Sequence, residues 1–525
     1  VLPFIDSTNA IVKNLSVNMN INIKLPKIVT QIADENDNSV LASKIDFKSL
    51  NIGGIAGLTS TSITNCRVEG VINIDANNWS DNFVGGNENY NYKQINIGGM
   101  VGKAVSTDIN NGNAVVNAII SGRPEQTSNI TTTSVNSDVA IFIQANKQSG
   151  VVTKSINVGG IVGYADYRSS VSNSLYDLAS SANIVVVDED GEFNYANVGG
   201  IVGYADGSMV FENLVSYPNL RAKKNVGGIV GAVRGYLKLN DSKVYLISEI
   251  DTNGIDASTI VANQNVGGLI GYATGVNSSI NMVVINATYV RGFNTSNLDG
   301  VNFFGNIYGK KFEGWNDEEI AIGGLIGYAE TTLNLSKTYF DGSIYTNANM
   351  PKVSGLVGVW KDVVELQSYN QDGSIKTETV NNRYSVENSY VKANISSEYG
   401  LVSGLDTVNK TDDEIANINA VAVTKNFYAV INGNKFFTLS NSELVNTVTS
   451  TIPKVADFDF SGFNITDGTV NAGDWFVNEK ANDGQPIILK LLNGKLIPLY
   501  DYLPENLYAS LYNLRFNNRA YIELS

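Results

Sequence analysis

The residue types in this chain restrict the chemistry that it can carry out. None of its 525 residues is a histidine, which excludes a histidine general base, a histidine-containing triad and a histidine-ligated zinc site. The one cysteine, Cys66, cannot form a disulfide within the chain or a cysteine-rich metal site. We expect its thiol to be a small buried side chain, and a reactive thiol is the alternative.

Sequence motifs for phosphate binding and nucleophilic catalysis are also missing. Gly102-Lys103-Ala104 lacks the hydroxyl of a phosphate-binding loop, and the Gly-x-Ser-x-Gly motif of a nucleophile elbow does not occur. Carboxylates could still support catalysis on a β-helix, but no repeat of the chain interrupts its apolar pattern with a matched Asp pair. We therefore predict no catalytic residues, no cofactor and no enzyme activity.

One acidic turn, Asp188-Glu189-Asp190-Gly191-Glu192, has the composition of a calcium-binding loop. Oxygen ligands on a glycine-containing turn suit Ca²⁺. A solvated hairpin turn has the same composition and is the interpretation we favour, so no metal site is predicted.

The charge balance limits the classes of partner. The formal net charge is −15, and no basic cluster is larger than Lys223-Lys224 or Lys310-Lys311, so we do not expect nucleic-acid binding. No run of about 18 apolar residues could span a membrane. A low cysteine content with abundant Asn, Ser, Thr and Gly is typical of exported proteins, which predicts an extracellular or bacterial cell-surface location. Because strand-like sequence begins by residue 10, we expect a processed start or a piece of a longer protein.

A nine-residue segment dominates the sequence. Asn-Val-Gly-Gly-Ile-Val-Gly-Tyr-Ala occurs at residues 157–165 and again, letter for letter, at residues 197–205. Variants begin at Asn51, Asn96, Asn225, Asn265 and Ala321, and weaker echoes at Lys352 and Gly400. Repetition on this scale is typical of solenoids.

Each copy combines β-branched residues with glycines at fixed positions. Val and Ile favour a strand, whereas glycine weakens a strand unless another backbone must come close. Stacked coils would impose that requirement, so we predict that the glycine strands stack in register. The paired glycines are Gly53, Gly54, Gly98, Gly99, Gly159, Gly160, Gly199, Gly200, Gly227, Gly228, Gly267, Gly268, Gly323 and Gly324.

The pattern predicts an all-β, elongated β-solenoid, most simply a parallel β-helix, with a small C-terminal cap. A series of β-sandwich modules is the fallback. We place the solenoid at residues 1–419 and the cap, with a hairpin at Asn432-Gly433, a short helix near residue 440 and an aromatic strand, at 420–497. An aromatic tail or the start of a further domain follows at 498–525.

The repeats resemble the GLUG repeat of bacterial surface proteins, including adhesins and the non-catalytic part of immunoglobulin A peptidases. A second family element, Asn-Cys/Ser-Tyr-x-x-Gly, is similar to segments beginning at Asn65, Asn173 and Asn388. The resemblance covers roughly residues 1–495 and implies a repeat type rather than a particular ligand.

Three insertions leave the repeat, at residues 78–92, 188–192 and 292–320. Binding residues concentrate on loops of rigid scaffolds, and the last insertion combines aromatic residues with two lysines. It supplies the candidate partner-binding residues, which are Phe303, Phe304, Tyr308, Lys310, Lys311, Phe312 and Trp315.

We therefore expect a non-catalytic surface module that acts as adhesin, stalk or assembly subunit. Its partner would be a protein or glycan on a cell surface, or neighbouring copies of itself. A substrate-engaging segment of a larger secreted peptidase is the alternative, and a polysaccharide-processing β-helix enzyme is a third hypothesis. For self-association the sequence suggests head-to-tail pairing of a tail segment, residues 514–524, with the bare first coil of the next copy.

Overall fold

The computed structural model describes residues 11–24, 49–76, 93–109, 114–122, 136–145, 154–167, 173–188, 190, 194–246, 248–249, 259–275, 282–292, 294–298, 301–304, 306–311, 320–348, 351–369, 375–396, 403–405, 422–432, 434–438, 465–466, 475–478, 487–492 and 495–496.

These residues form strands and no helix. In chain order the strands are β1 (Ile11–Lys13), β2 (Ser16–Lys24), β3 (Ser49–Gly53), β4 (Ala56–Thr59), β5 (Ser62–Thr64), β6 (Arg67–Ala76), β7 (Lys93–Gly98), β8 (Val101–Ile109), β9 (Ala114–Asn117), β10 (Ile120–Ser121), β11 (Ser137–Ala145), β12 (Lys154–Gly159), β13 (Val162–Tyr167), β14 (Asn173–Ser180), β15 (Asn183–Val187), β16 (Asn197–Gly199), β17 (Val202–Ser216), β18 (Asn219–Arg221), β19 (Asn225–Gly227), β20 (Val230–Asn240), β21 (Lys243–Leu246), β22 (Ser248–Glu249), β23 (Ile260–Ala262), β24 (Asn265–Gly267), β25 (Ile270–Thr274), β26 (Met282–Asn286), β27 (Tyr289–Gly292), β28 (Asn294–Leu298), β29 (Val301–Phe304), β30 (Asn306–Gly309), β31 (Ala321–Gly323), β32 (Ile326–Glu330), β33 (Thr332–Ser336), β34 (Tyr339–Thr346), β35 (Lys352–Ser354), β36 (Val357–Trp360), β37 (Val363–Tyr369), β38 (Ile375–Asn381), β39 (Tyr384–Ile395), β40 (Ser403–Leu405), β41 (Ala422–Ile431), β42 (Asn434–Thr438), β43 (Ile465–Thr466), β44 (Trp475–Asn478), β45 (Ile487–Leu492) and β46 (Lys495–Leu496).

The strands wind into a β-solenoid, as the repeats predict. The shortest coil, residues 197–224, shows the path: β16 lies in one wall, β17 follows two further faces with a bend at Gly207, and β18 completes the turn. A chain bend at Gly207 requires a positive φ of 106°, which glycine tolerates best. Each of these strands pairs in parallel with its equivalents in the coils before and after it.

One wall, here called the glycine sheet, contains only the glycine strands. Its eight strands follow the order β3-β7-β12-β16-β19-β24-β31-β35, and every pair places glycine beside glycine up to the last strand, where Ser354 replaces it. The prediction of in-register stacking is therefore confirmed.

Backbone packing explains why three glycines recur in every copy. A Cβ on Gly199 would overlap the carbonyl oxygen of Val202, and one on Gly203 would overlap the backbone nitrogen of Val158 in the preceding coil. A Cβ on Gly200 would meet both the Gly228 carbonyl oxygen and the Ser216 hydroxyl, which lies on the opposite wall. Each glycine thus permits a contact that any other side chain would obstruct.

The asparagine that opens the repeat forms a ladder along the glycine sheet. From the second member onward, each side-chain Nδ2 donates to the Oδ1 of the asparagine one coil earlier, at 2.7–2.8 Å. The members are Asn51, Asn96, Asn157, Asn197, Asn225 and Asn265, and Ala321 ends the ladder. Stacked amides of this kind satisfy buried polar groups between identical strands.

A second wall, here called the long wall, runs opposite through ten successive parallel strands. Their order is β2, β6, β11, β15, β18, β23, β30, β34, β39 and β41, which at about 4.8 Å per strand gives a stack roughly 40 Å long. Val, Ile and Leu side chains from both walls fill the interior and are almost completely buried.

Cys66 lies in this interior, as predicted, and its thiol donates to the Thr64 carbonyl oxygen at 3.3 Å. Burial raises the pKa of the thiol, although hydrogen bonds with the backbone of Leu15 and Thr64 oppose the shift. The Asn-Cys/Ser element of the sequence aligns Cys66 with Ser174, and this alignment is wrong. Leu175, the neighbour of Ser174, pairs with Ile120 and through it with Ile63, so Ser174 lies at the level of Ser62 instead.

At the C-terminal end of the long wall, its last strand forms a hairpin with the next strand. β41 still pairs in parallel with β39, so the solenoid continues past the expected boundary at residue 419. The chain then reverses at Asn432, whose φ is 50°, and β42 pairs antiparallel with β41, which confirms the Asn432-Gly433 hairpin. The aromatic strand is present as β44, paired with β45. The short helix near residue 440 and the tail at 498–525 lie outside the described residues.

Candidate binding surfaces

The predicted insertion at residues 292–320 is not one continuous loop, because some of its described residues belong to the solenoid stack. Val290 and Asn306 pair with Phe340 and Ser343, which are only three residues apart in the next coil. Residues 293–305 are therefore one extra segment, and β30 returns to the long wall. The candidates Phe312 and Trp315 lie outside the described residues.

Tyr308 consequently does not belong to a projecting loop. It lies in β30, is 4% exposed, and pairs with Val261 in the previous coil and Tyr345 in the next. The sequence holds a signal for this placement. Asn306-Ile307 repeats the polar residue and inward aliphatic residue of Asn183-Ile184 and Asn219-Leu220, which occupy the same position in earlier coils.

Two adjacent coils carry extra segments at the same corner. Residues 247–258 follow β21 at the position where residues 293–305 follow β27. The two segments form a small antiparallel sheet in the order β22-β29-β28, here called the corner sheet. Its middle strand contains Phe303 and Phe304, so these two candidates do lie outside the solenoid stack.

Lys310 and Lys311 lie at the other end of β30. The Lys310 N–H donates to the Ala262 carbonyl oxygen at 2.8 Å, and the Lys311 N–H donates to Asn347 Oδ1 at 2.6 Å. Because β30 is only four residues long, the corner sheet and the two lysines flank one short face of the solenoid. The structure thus groups Phe303, Phe304, Lys310 and Lys311, and removes Tyr308 from the group.

A row of outward-facing tyrosines lies on the strands that come directly after the glycine strands in the chain. The sequence analysis did not predict this row. Tyr164, Tyr204, Tyr272 and Tyr328 occupy one position in four coils, with Lys103 before them and Ala232 between the two pairs. The available signal is the tyrosine at the eighth position of the repeat. We call these four residues the tyrosine row.

Two acidic side chains, Asp206 and Glu330, each lie two residues beyond a tyrosine of this row and together accept hydrogen bonds from three of its hydroxyls. Asp206 accepts hydrogen bonds from the Tyr164 hydroxyl at 3.0 Å and from the guanidinium of Arg234. Burial, reinforced by the charge of Asp206, raises the pKa of Tyr164 above its ordinary value. Burial also raises the pKa of Tyr204 to about 12. These phenols therefore stay neutral at physiological pH.

The same arrangement recurs three coils later. Glu330 accepts hydrogen bonds from the Tyr272 hydroxyl at 2.7 Å and from the Tyr328 hydroxyl at 3.1 Å, and it lies 3.3 Å from Lys361 Nζ. Hydrogen-bonding groups along the tyrosine row are thus directed at one another. The row stabilises neighbouring coils more than it offers groups to a ligand.

Within the described residues, no three Asp, Glu or Cys side chains come close enough to hold a metal ion. In the acidic turn, Asp188 is buried and its Oδ1 accepts a hydrogen bond from the Asp190 backbone N–H at 3.0 Å. That contact is the hydrogen bond of an Asx turn.

No family model, no curated protein and no solved structure matches the chain. The part of the chain that the structure describes also contains no helix of the length and apolar character needed to cross a membrane.

Proposed function

We propose that this chain is a non-catalytic scaffold of the bacterial cell surface that acts as an adhesive or assembly module. The observation that carries the proposal is the glycine sheet, in which eight strands keep one register over the length of the stack. Close backbone stacking and the asparagine ladder make such a sheet rigid. A rigid frame with extra segments at fixed corners suits presentation of binding loops.

The corner sheet with Lys310 and Lys311 is the proposed contact surface. Its strand β29 carries Phe303 and Phe304, and aromatic residues are enriched in the cores of protein interfaces. Lys310 and Lys311 lie at the other end of β30 and would contribute charge to the rim of the surface. The partner is a protein or glycan of a cell surface. The GLUG resemblance and the exported-protein composition support an extracellular location.

A deletion of residues 293–305 tests the proposal without disturbing the stack. It joins Gly292 directly to Asn306, which reproduces the junction of Pro218 and Asn219 in the shortest coil. The matched control is a deletion of residues 363–381, which removes the β37–β38 hairpin from another corner. The Asn382 N–H donates to the Asp362 carbonyl oxygen at 2.6 Å, so the ends of that hairpin are already adjacent.

Beads coated with each purified chain are incubated with intact animal and bacterial cells and with an array of cell-surface glycans. We expect the full chain and the control deletion to bind equally, and the 293–305 deletion to bind at least about tenfold less. Equal binding by the two deletion variants would show that the corner sheet is not the contact surface. A full chain that binds no better than uncoated beads would contradict the adhesive function itself.

A further inference from the structure

One row of polar residues runs along the outer face of the long wall. Strand pairing places Asn219, Thr259, Asn306, Ser343 and Asn394 at the same position of five successive coils. The residue that follows each of them is an aliphatic residue of the core, so these five side chains project outward. Thr259 and Asn306 come directly after the two extra segments that form the corner sheet, so the row lies where those segments rejoin the long wall.

The first four members of this row, from Asn219 to Ser343, are here called the oxygen row. Thr259, Asn306 and Ser343 are at most 4% exposed, and Asn219 is half-buried. In each of the four residues a buried side-chain oxygen has no hydrogen-bond partner among the described residues. A buried polar atom is costly to leave without a partner, and native structures leave few of them. Four in a line therefore require an explanation.

The asparagine ladder of the glycine sheet shows why room remains between these oxygens. In that ladder amide meets amide directly, at 2.7–2.8 Å. The long-wall position begins in the same way, because Asn219 Nδ2 donates to Asn183 Oδ1 at 3.1 Å. Thr259 and Ser343 then replace asparagine, and their shorter side chains do not reach the amide of a neighbouring coil. Each interval of the oxygen row contains one of these two residues, so each interval has a gap.

We propose that the oxygen row binds a file of water molecules, with one water in each interval between Asn219, Thr259, Asn306 and Ser343. Coils about 4.8 Å apart allow one water oxygen to lie about 2.8 Å from two successive row oxygens, with an angle of roughly 120° at the water. Buried waters typically bind polar groups of this kind, which otherwise lack a partner. The water file does not depend on the binding function proposed above.

The donors and acceptors of the row are compatible with this file. An amide Oδ1 only accepts, whereas a hydroxyl donates once and also accepts. The first water donates to Asn219 Oδ1 and Thr259 Oγ1. The second accepts from the Thr259 hydroxyl and donates to Asn306 Oδ1, and the third donates to Asn306 Oδ1 and Ser343 Oγ. Every oxygen of the row gains a partner in this way. Asn219 at one end is half-buried and Asn394 beyond the other end is exposed, so bulk water lies close to both ends.

Two substitutions at Thr259 separate a hydrated row from a dry one. Water oxygen-17 magnetic relaxation dispersion on the full-length chain counts slowly exchanging waters, and thermal denaturation measures stability. Thr259→Val keeps the shape of the side chain and removes the hydroxyl, so we expect the loss of two slow waters and a lower unfolding midpoint. Thr259→Asn restores direct contact between amides, so we expect the same loss of waters without a lower midpoint. In a dry row, Thr259→Val would raise the midpoint, because the hydroxyl that it removes is unsatisfied.

Ser216→Ala is the control for a buried hydroxyl outside the row. The Ser216 hydroxyl also lacks a hydrogen-bond partner among the described residues, but it packs closely against Gly200, which leaves no room for water. We expect this variant to keep the water count of the natural chain and to melt at the same or a higher temperature. An unchanged water count in Thr259→Val, a raised midpoint in that variant, or an equal loss of waters in Ser216→Ala would overturn the proposal.

Discussion

The glycine sheet and the corners of the solenoid differ in how closely successive repeats resemble one another in sequence and length. Along the glycine sheet, strands as far apart in sequence as β7 and β12 keep the same register, and the repeats to which they belong keep the same three glycines. At the corner where the chain enters the long wall, four successive coils carry, in order, no extra residues, residues 247–258, residues 293–305 and again no extra residues. The difference teaches that the strand sequence is constrained by contact with neighbouring backbones, whereas a corner faces outward and can lengthen freely.

The largest test of this comparison places a side chain in the glycine sheet. Gly200→Val should destabilise the chain by about 3 kcal/mol or more, because its side chain would meet the Gly228 carbonyl oxygen and Ser216. Urea unfolding followed by circular dichroism measures the change. Thr379→Val, at an exposed position of the projecting hairpin, is the control and should change stability little. Unaltered unfolding of the Gly200 variant would refute the packing role of the glycines.

The asparagine ladder gives the next largest effect. Asn197→Ala removes a hydrogen bond to Asn157 and another from Asn225, and leaves two buried amide groups with one partner fewer, so we expect a loss of about 2–3 kcal/mol. Asn265→Ala, at the end of the ladder beside Ala321, removes one such bond and should cost about 1 kcal/mol. If the two variants lose equal stability, the ladder is not acting as a continuous row.

Asp138 on the long wall predicts a pH dependence. Burial raises its pKa from 3.8 to about 7, with Arg67 lowering it and Glu69 raising it. The folded chain then binds more protons than the unfolded chain between about pH 4 and pH 7, so this residue makes stability fall as pH rises through that window. Each pKa unit corresponds to about 1.4 kcal/mol, so the full shift sets an upper bound of about 4 kcal/mol on this loss, and Asp138→Asn should abolish that part of the pH dependence. Parallel pH profiles of the two proteins would count against a buried acid.

Two serines that face the glycine sheet provide the smallest test. The Ser137 hydroxyl donates to the Gly160 carbonyl oxygen, whereas the Ser180 hydroxyl, one coil later, is buried without a hydrogen-bond partner. Ser137→Ala should therefore cost about 1 kcal/mol, and Ser180→Ala should be neutral or stabilising. Thermal denaturation of the two variants measures the difference, and the reverse order would show that the two hydroxyls are assigned wrongly.

Sequence alone predicts the fold here because close backbone contact requires the same residue types, above all glycine, at the same positions of every repeat. Residues 157–165 and 197–205 are identical, and they stack directly on each other in register. The hairpin at Asn432 was predictable for a similar local reason, since Asn-Gly supplies the positive φ that a tight turn requires.

The surfaces were harder to predict, because their residues meet only through the register of distant coils. Tyr308 follows a stretch of aromatic residues in the sequence, and only its pairing with Val261 and Tyr345 shows that it belongs to the stack. Ser174 was aligned through the Asn-Cys/Ser-Tyr-x-x-Gly element, of which only Asn173 and Ser174 are present at that site, and two matching residues do not define a register. The asparagine ladder and the tyrosine row likewise depend on which coil lies beside which.

The central claim, that one repeat forms one coil and that coils stack in register, can be tested with paired cysteines on the outer surface. In a Cys66→Ser background, Asp166→Cys with Asp206→Cys places two thiols on directly paired residues of adjacent coils, at a separation that permits a disulfide. Asp166→Cys with Arg234→Cys places them two coils apart, roughly 10 Å. Oxidation followed by peptide mass spectrometry should find the disulfide in the first pair and not in the second. A disulfide in the second pair, or in neither, would contradict the register on which the whole account depends.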